Sequence, residues 1–193
     1  MDWNAFETAW HDSGCRILAD LAAAFPDERL YAAAFHLFYM DGDEILSPAL
    51  AANTEATVRE MRPGGEDYRD STRFAPPEWR WDVLDAASDA MSPWYHRLTE
   101  EYLAPAATEA EQFAAMDALE TAHDAAMAGV CKAMTTTARR GGIHSSLPRE
   151  FVVVILEGQR GDEEAGLIRK SVDPQLLPTV PELTEYLRQL DEA

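Results

Sequence analysis

Lysine is almost missing from this chain of 193 residues: two are present, with 14 arginines, against 35 aspartates and glutamates, for a formal net charge of −19. Phosphate binding needs a surplus of Lys and Arg, so nucleic acid is excluded as the expected partner. Cysteine is scarce as well. Cys15 and Cys131 each sit in a helix-like apolar pattern, which predicts buried free thiols rather than a disulfide framework. No apolar run approaches the roughly 20 residues of a membrane span. The opening MDWNAFETAWHD has neither the basic start nor the apolar stretch of a secretory signal, so the reading is a cytoplasmic protein without membrane contact. Absent too are a Walker loop, G-x-G-x-x-G, C-x-x-C, H-E-x-x-H and a G-x-S-x-G elbow. No catalytic signature and no cofactor site is read from the sequence.

What remains is one ordinary domain, long enough to bury a sizeable core. Its acids outnumber its bases in every quarter: eleven to three over 1–61, nine to five over 62–107, five to three over 108–140, ten to five over 141–193. Such a surface keeps a protein soluble, and it also attracts and steers a basic protein partner.

The elements follow from spacing. Trp3, Phe6, Trp10, Ile17, Leu18, Leu21 and Phe25 recur at helical intervals until Pro26 stops them. Leu30–Met40 is apolar on both faces, which predicts an interior strand. Asp41-Gly42 turns it back onto a partner at Glu44–Leu50, with Pro48 marking an edge. Asn53 is positioned to cap a helix to Met61, and Tyr68–Phe74 reads as a third strand. Pro76-Pro77 then leads Trp79 and Trp81 into a helix carrying Val83, Ala87, Met91, Trp94, Leu98 and Tyr102, interrupted at Ser92-Pro93. The longest helix spans 109–139, opened by the Thr108/Glu111 capping box and closed by Gly141-Gly142. Phe151–Leu156 is a β-branched strand expected at the sheet centre. A helix or a strand over 163–172 and a helix near 182–190 finish the chain. The sum is a single α+β domain over 1–193. It has a small, mainly antiparallel sheet of three or four strands packed with several helices.

Chemistry-bearing residues are few. Glu120-Thr-Ala-His123 has the Glu-x-x-His spacing of di-iron bundles, but the second copy and two further carboxylates are missing; a satisfied buried or boundary His–Glu pair without metal is expected. Asp41-Gly-Asp43-Glu44 begins like a calcium loop, yet the sixth and twelfth positions hold Leu46 and Ala52. It reads as a solvated hairpin tip. His144-Ser145-Ser146 reads as a polar turn, and His96 with Glu100 as an exposed pair one helical turn apart. Trp79-Arg80-Trp81, followed by Asp82 and Asp85, combines the residue types favoured at binding hot spots. Aromatics at a helix start also serve simply to anchor it to the core.

An N-terminal helix comes first, then Tyr31-Ala-Ala-Ala-Phe-His-Leu37 with its acidic hairpin, then Asn53-Thr-Glu55 opening a helix. Phe74-Ala-Pro-Pro-Glu-Trp79 and the Phe151–Leu156 strand complete the order. This series resembles a family of bacterial proteins catalogued as a domain of unknown function, family 4303. The resemblance implies a component of toxin–immunity neighbourhoods that neutralises a cognate toxin by binding it, and it carries over no functional residue. The leading expectation is therefore a non-catalytic binding protein that docks a basic toxin domain through Asp41, Asp43, Glu44, Trp79, Arg80, Trp81, Asp82 and Asp85. The alternative is a small-molecule binder or enzyme that gathers Glu120 and His123 with His36 or His144 in a helix-lined pocket. A third, a structural subunit, would show an exposed apolar patch.

Overall fold

A computed structural model describes residues 1–36, 40–41, 44–60, 73–84, 88–157 and 161–192, with backbone alone for 40, 41, 88–90 and 162. Helix α1 (Trp3–Ala24) opens the chain, its first turn capped by the Asp2 carboxylate accepting from the Ala5 amide. Strands β1 (Leu30–His36), β4 (Ala49–Thr54), β5 (Trp81–Leu84) and β6 (Val152–Ile155) form one sheet in the order β5-β4-β1-β6. The β1/β4 and β4/β5 pairs are antiparallel and β1/β6 is parallel. Among the described residues the remaining α-helices are α2 (Glu55–Glu60), α3 (Ser88–Tyr102), α4 (Glu109–Arg139), α5 (Glu164–Ser171) and α6 (Pro181–Glu192). None of the described helices is long and apolar enough to cross a membrane.

Strand alternation divides the core in two. Leu30, Ala33 and Phe35 of β1, with Val153 and Ile155 of β6, face Phe6, Trp10 and Leu18 of α1, Met91 and Leu98 of α3 and Met127 and Met134 of α4. Ala32, Ala34, Val152 and Val154 face the opposite way, toward Ile168 of α5 and Leu183 and Leu187 of α6. Helices on both faces explain why β1 and β6 are buried throughout. The result is the expected α+β domain.

Several boundaries differ from the sequence reading. The Asp41 turn does make a hairpin, but a separate two-residue one: β2 (Met40–Asp41) pairs with β3 (Glu44–Ile45). The main-sheet partner of β1 is Ala49–Thr54, beyond Pro48, with Phe35 opposite Leu50 and Ala33 opposite Ala52. Proline cannot donate to a ladder, so pairing with β1 begins only after it. Asn53 belongs to that strand, and the cap of α2 is Thr54, whose Oγ1 accepts from the Thr57 amide at 3.2 Å. Of the expected strand at 68–74, residues 68–72 lie outside the described residues, and Phe74 is buried in a turn. Trp81 starts β5 rather than a helix, because the Pro76–Glu78 turn delivers it alongside Ala52 of β4. Helix α3 begins later, at Ser88, and runs through Pro93 without a break.

Strand β6 lies at the sheet edge, not at its centre. Its outer side is closed by side chains instead of a strand. Thr135 Oγ1 on α4 accepts from the Val153 amide (2.9 Å) and donates to the Val153 carbonyl (3.3 Å). Ser171 Oγ on α5 accepts from the Ile155 amide (3.1 Å), and Arg139 Nε donates to the Phe151 carbonyl (3.1 Å). An apolar edge left open is an aggregation hazard, and these contacts cover it. Thr135→Val keeps the volume but strands two buried backbone groups. It is expected to lower unfolding free energy by about 1–3 kcal/mol in urea titrations. An unchanged midpoint would mean that something else covers Val153.

Candidate functional site

The residues picked out by sequence fall in three places. The first is the β2–β3 hairpin. Asp41 and Glu44 face one another across it, Glu44 is exposed, and the Ile45 amide donates to Thr99 Oγ1 (3.0 Å), which rests the hairpin on α3. Asp43 and Asp85 lie outside the described residues.

The second place is the segment 79–82, whose members diverge. Trp79 is 4% exposed, lies edge-on to the Tyr31 ring at 6.2 Å, and donates from Nε1 to the Arg73 carbonyl. It is a core residue, which removes it from any surface. Arg80 pairs with Glu28 and lies over the Trp81 ring at 4.8 Å, while half-buried Trp81 contacts Phe25 at 5.1 Å. The exposed Asp82 covers the edge of its own strand by accepting from the Val83 amide.

Beneath Trp79 sits a polar node that sequence spacing did not reveal. The Arg73 guanidinium lies 4.0 Å over the Tyr31 ring and donates to both Glu55 oxygens at 3.3 and 2.7 Å. The Arg73 carbonyl accepts from Tyr31 Oη (2.7 Å) as well as from Trp79. Tyr31 Oη in turn accepts from Asn53 Nδ2 (3.2 Å). This node floors a cleft of about 270 Å³ that is also lined by Arg29, Glu150 and the Thr179–Glu182 turn. Burial pushes the Tyr31 phenol up, beyond what Arg73 and Asn53 restore. Burial alone would raise the Glu55 carboxyl, but the hydrogen bonds and charge of Arg73 prevail and hold it below its ordinary value.

The third set is the alternative pocket, and its members do not converge. His36 is buried at the end of β1 with Nε2 2.6 Å from the Asp82 carbonyl. His123 is buried among Trp3, Phe6 and Tyr95, its Nε2 2.9 Å from Tyr95 Oη and its Nδ1 4.0 Å from Asp124. His144 contacts Ser146 Oγ at 2.8 Å in its turn. Glu120 is exposed and lines a different cleft, about 420 Å³ between α4 and α5, with Asp117, Asp124, Glu163 and Lys170. None of the three histidines lines it. Spacing along α4 put Glu120 and His123 on one stripe, but the stripe crosses the boundary of the core between them. Among the described residues no group of three or more His, Cys, Asp or Glu is placed to hold a metal. Both cysteines are free; burial, reinforced by Asp12, pushes the Cys15 thiol up to about 11.

Acid sensitivity follows from these environments. Burial lowers the His36 pKa and outweighs its Asp82 contacts, so the unfolded chain binds a proton at His36 more readily than the native one. Stability is then lost as pH falls below the unfolded value of about 6.5. The depressed Glu55 adds a second loss below about 4.3, complete once pH has passed its folded value. Urea midpoints from pH 8 to 3 should fall in two stages, and His36→Gln should flatten the upper one. An upper stage unchanged in that variant would assign it elsewhere.

A family model described as a domain of unknown function, DUF4303, matches residues 16–173. No curated protein and no solved structure matches the chain.

Proposed function

This chain belongs to the DUF4303 family, a domain of unknown function, and we propose that it is a binding protein of immunity type, which neutralises a toxin by holding its basic surface against an acidic one. One observation carries the reading: six arginines among the described residues are spent on carboxylates within the molecule. Arg16, Arg29, Arg73, Arg80, Arg169 and Arg188 pair with Asp20, Glu150, Glu55, Glu28, Asp191 and the Glu185/Glu192 pair. Apart from the partly buried Arg73–Glu55 pair, such exposed pairs add little stability, about 0–1 kcal/mol each. They do cancel positive charge locally, so solvent meets the surplus of carboxylates.

The test is to sequence the genes flanking this one and co-express the chain with any toxic domain they encode. Growth should be rescued, and the complex should weaken steeply as salt rises from about 0.01 M to about 1 M, which shrinks the Debye length from about 30 Å to about 3 Å. Failure of rescue, or an affinity indifferent to salt, removes the proposal. The 420 Å³ cleft favours a second reading, a binder of a small cationic molecule through Glu120 and its neighbouring carboxylates. Native mass spectrometry of gently purified protein would reveal a retained ligand; bare protein alone would count against it.

A further inference from the structure

The longest stretch of the chain without a basic residue carries seven of its 19 net negative charges. Between Arg97 and Lys132 there is no lysine or arginine, and those 34 residues carry seven carboxylates: Glu100, Glu101, Glu109, Glu111, Asp117, Glu120 and Asp124. They form the end of α3, the 103–108 loop and the first half of α4, and all but Asp124 are exposed. Gln112 fixes this tip, donating from Nε2 to the Tyr102 carbonyl (3.2 Å) and accepting from the Ala106 amide (3.1 Å).

The apolar stripe of α4 continues onto the same tip. Its later members, Met127, Val130 and Met134, are fully buried, and Leu119 still packs on the core. Phe113 is 61% exposed and Leu103 47% exposed. Along the first turns of α4 the stripe is only partly covered: Phe113 is exposed, and Met116 and Leu119 are half-buried. Two of the acids have a local duty, since Glu109 and Glu111 lie in the first turn and Glu111 completes the capping box. Glu101 meets the N-terminal ammonium. Asp117 and Glu120 lie two and three turns further in, on the wall of the cleft that Lys170 also lines.

We infer that this tip is the docking surface for a basic protein segment, one that sets an apolar side chain on Phe113 and Leu103 within a ring of Lys and Arg. The partner's charge rests on the function proposed above; the surface is new. Charge decides among occupants. A second copy would bring six more exposed carboxylates against these, and nucleic acid or an anionic membrane would be repelled. The β2–β3 hairpin, resting on Thr99 beside Glu100, extends the acidic rim with Glu44.

The experiment uses the full chain and two labelled peptides of Lys and Leu with identical composition, one helical and amphipathic, one scrambled. The amphipathic peptide should bind more tightly and protect residues 100–121 in hydrogen–deuterium exchange. Phe113→Ser, and separately the double change Asp117→Lys/Glu120→Lys, should each weaken it by about tenfold. The distant pair Asp27→Lys/Glu78→Lys should change it by less than about twofold, as expected of charges outside the contact. Equal losses from the two double reversals would overturn the surface and leave the charge-based function standing. No binding of either peptide at low salt would remove that function as well. Self-association abolished by Phe113→Ser would give the tip to a second copy and overturn the inference.

Discussion

Replacing Phe35 with alanine is expected to cost about 3–5 kcal/mol, the range for a fully buried aromatic side chain. Strand β1 is paired along both sides, with Leu50 and Ile155 opposite Phe35. Toward α1 it otherwise sends only Leu30 and Ala33. Phe35 therefore fills the space between the sheet and α1, with the Trp10 ring standing edge-on at 5.1 Å. Both side chains are completely buried. The backbone of α1 comes close here too, since a Cβ on Gly14 would sit 3.8 Å from the Phe35 ring and overlap the end of Met134. Alanines on the strand cannot move in to fill the gap, and two packed helices resist collapse. Phe35→Leu, which keeps most of the volume, should cost less than about 1.5 kcal/mol. Urea unfolding with an unchanged m-value gives both numbers. A loss under about 1 kcal/mol for the alanine variant would mean that Trp10 relaxes into the site, and that the described packing is not what holds α1 on the sheet.

The parts of this fold that sequence made legible are those decided within one turn of chain. Helix α4 starts at Glu109 because Thr108 and Glu111 satisfy each other's backbone amides, and it ends before Gly141, which adopts a positive φ. Pairing over distance was harder to read. Leu46 to Pro48 looks like strand, and only the ladder with β1 shows that the sheet resumes at Ala49. The place of β6 at the edge depends on Thr135 and Ser171, hydroxyls on two other helices whose alignment with Val153 and Ile155 has no sequence spacing. Trp79 beside Arg80 looked like a recognition pair, and its burial is decided by Tyr31, far earlier in the chain. The acidic tip escaped notice for a simpler reason. Charges summed by quarters divide residues 98–131 between two blocks, each diluted by the arginines of its neighbours.

Arg73→Ala should remove about 2–3 kcal/mol, less than for a fully buried pair because Glu55 keeps about a third of its side chain in water. Three losses add up in that estimate. Glu55 is left in a half-buried cleft without its bidentate partner, Tyr31 loses the cation over its ring, and the half-buried stem of Arg73 gives up its packing. The hydrogen bonds from Tyr31 and Trp79 survive, because they end on the Arg73 carbonyl. Arg73→Lys should recover little, since an ammonium cannot bind both carboxylate oxygens in the plane that the guanidinium occupies. Glu55→Ala alone should cost less than Arg73→Ala, and the double variant less than the sum of the two, with a coupling of about 1–2 kcal/mol. The acid limb offers an independent check. Its lower stage comes from a Glu55 carboxyl held down by Arg73. In Arg73→Ala burial acts unopposed by that charge, the native pKa rises toward or above the unfolded one, and the stability lost below about pH 4.3 should shrink or vanish. Strict additivity, together with an acid limb unaltered in Arg73→Ala, would show that the two side chains lie close in space and contribute separately.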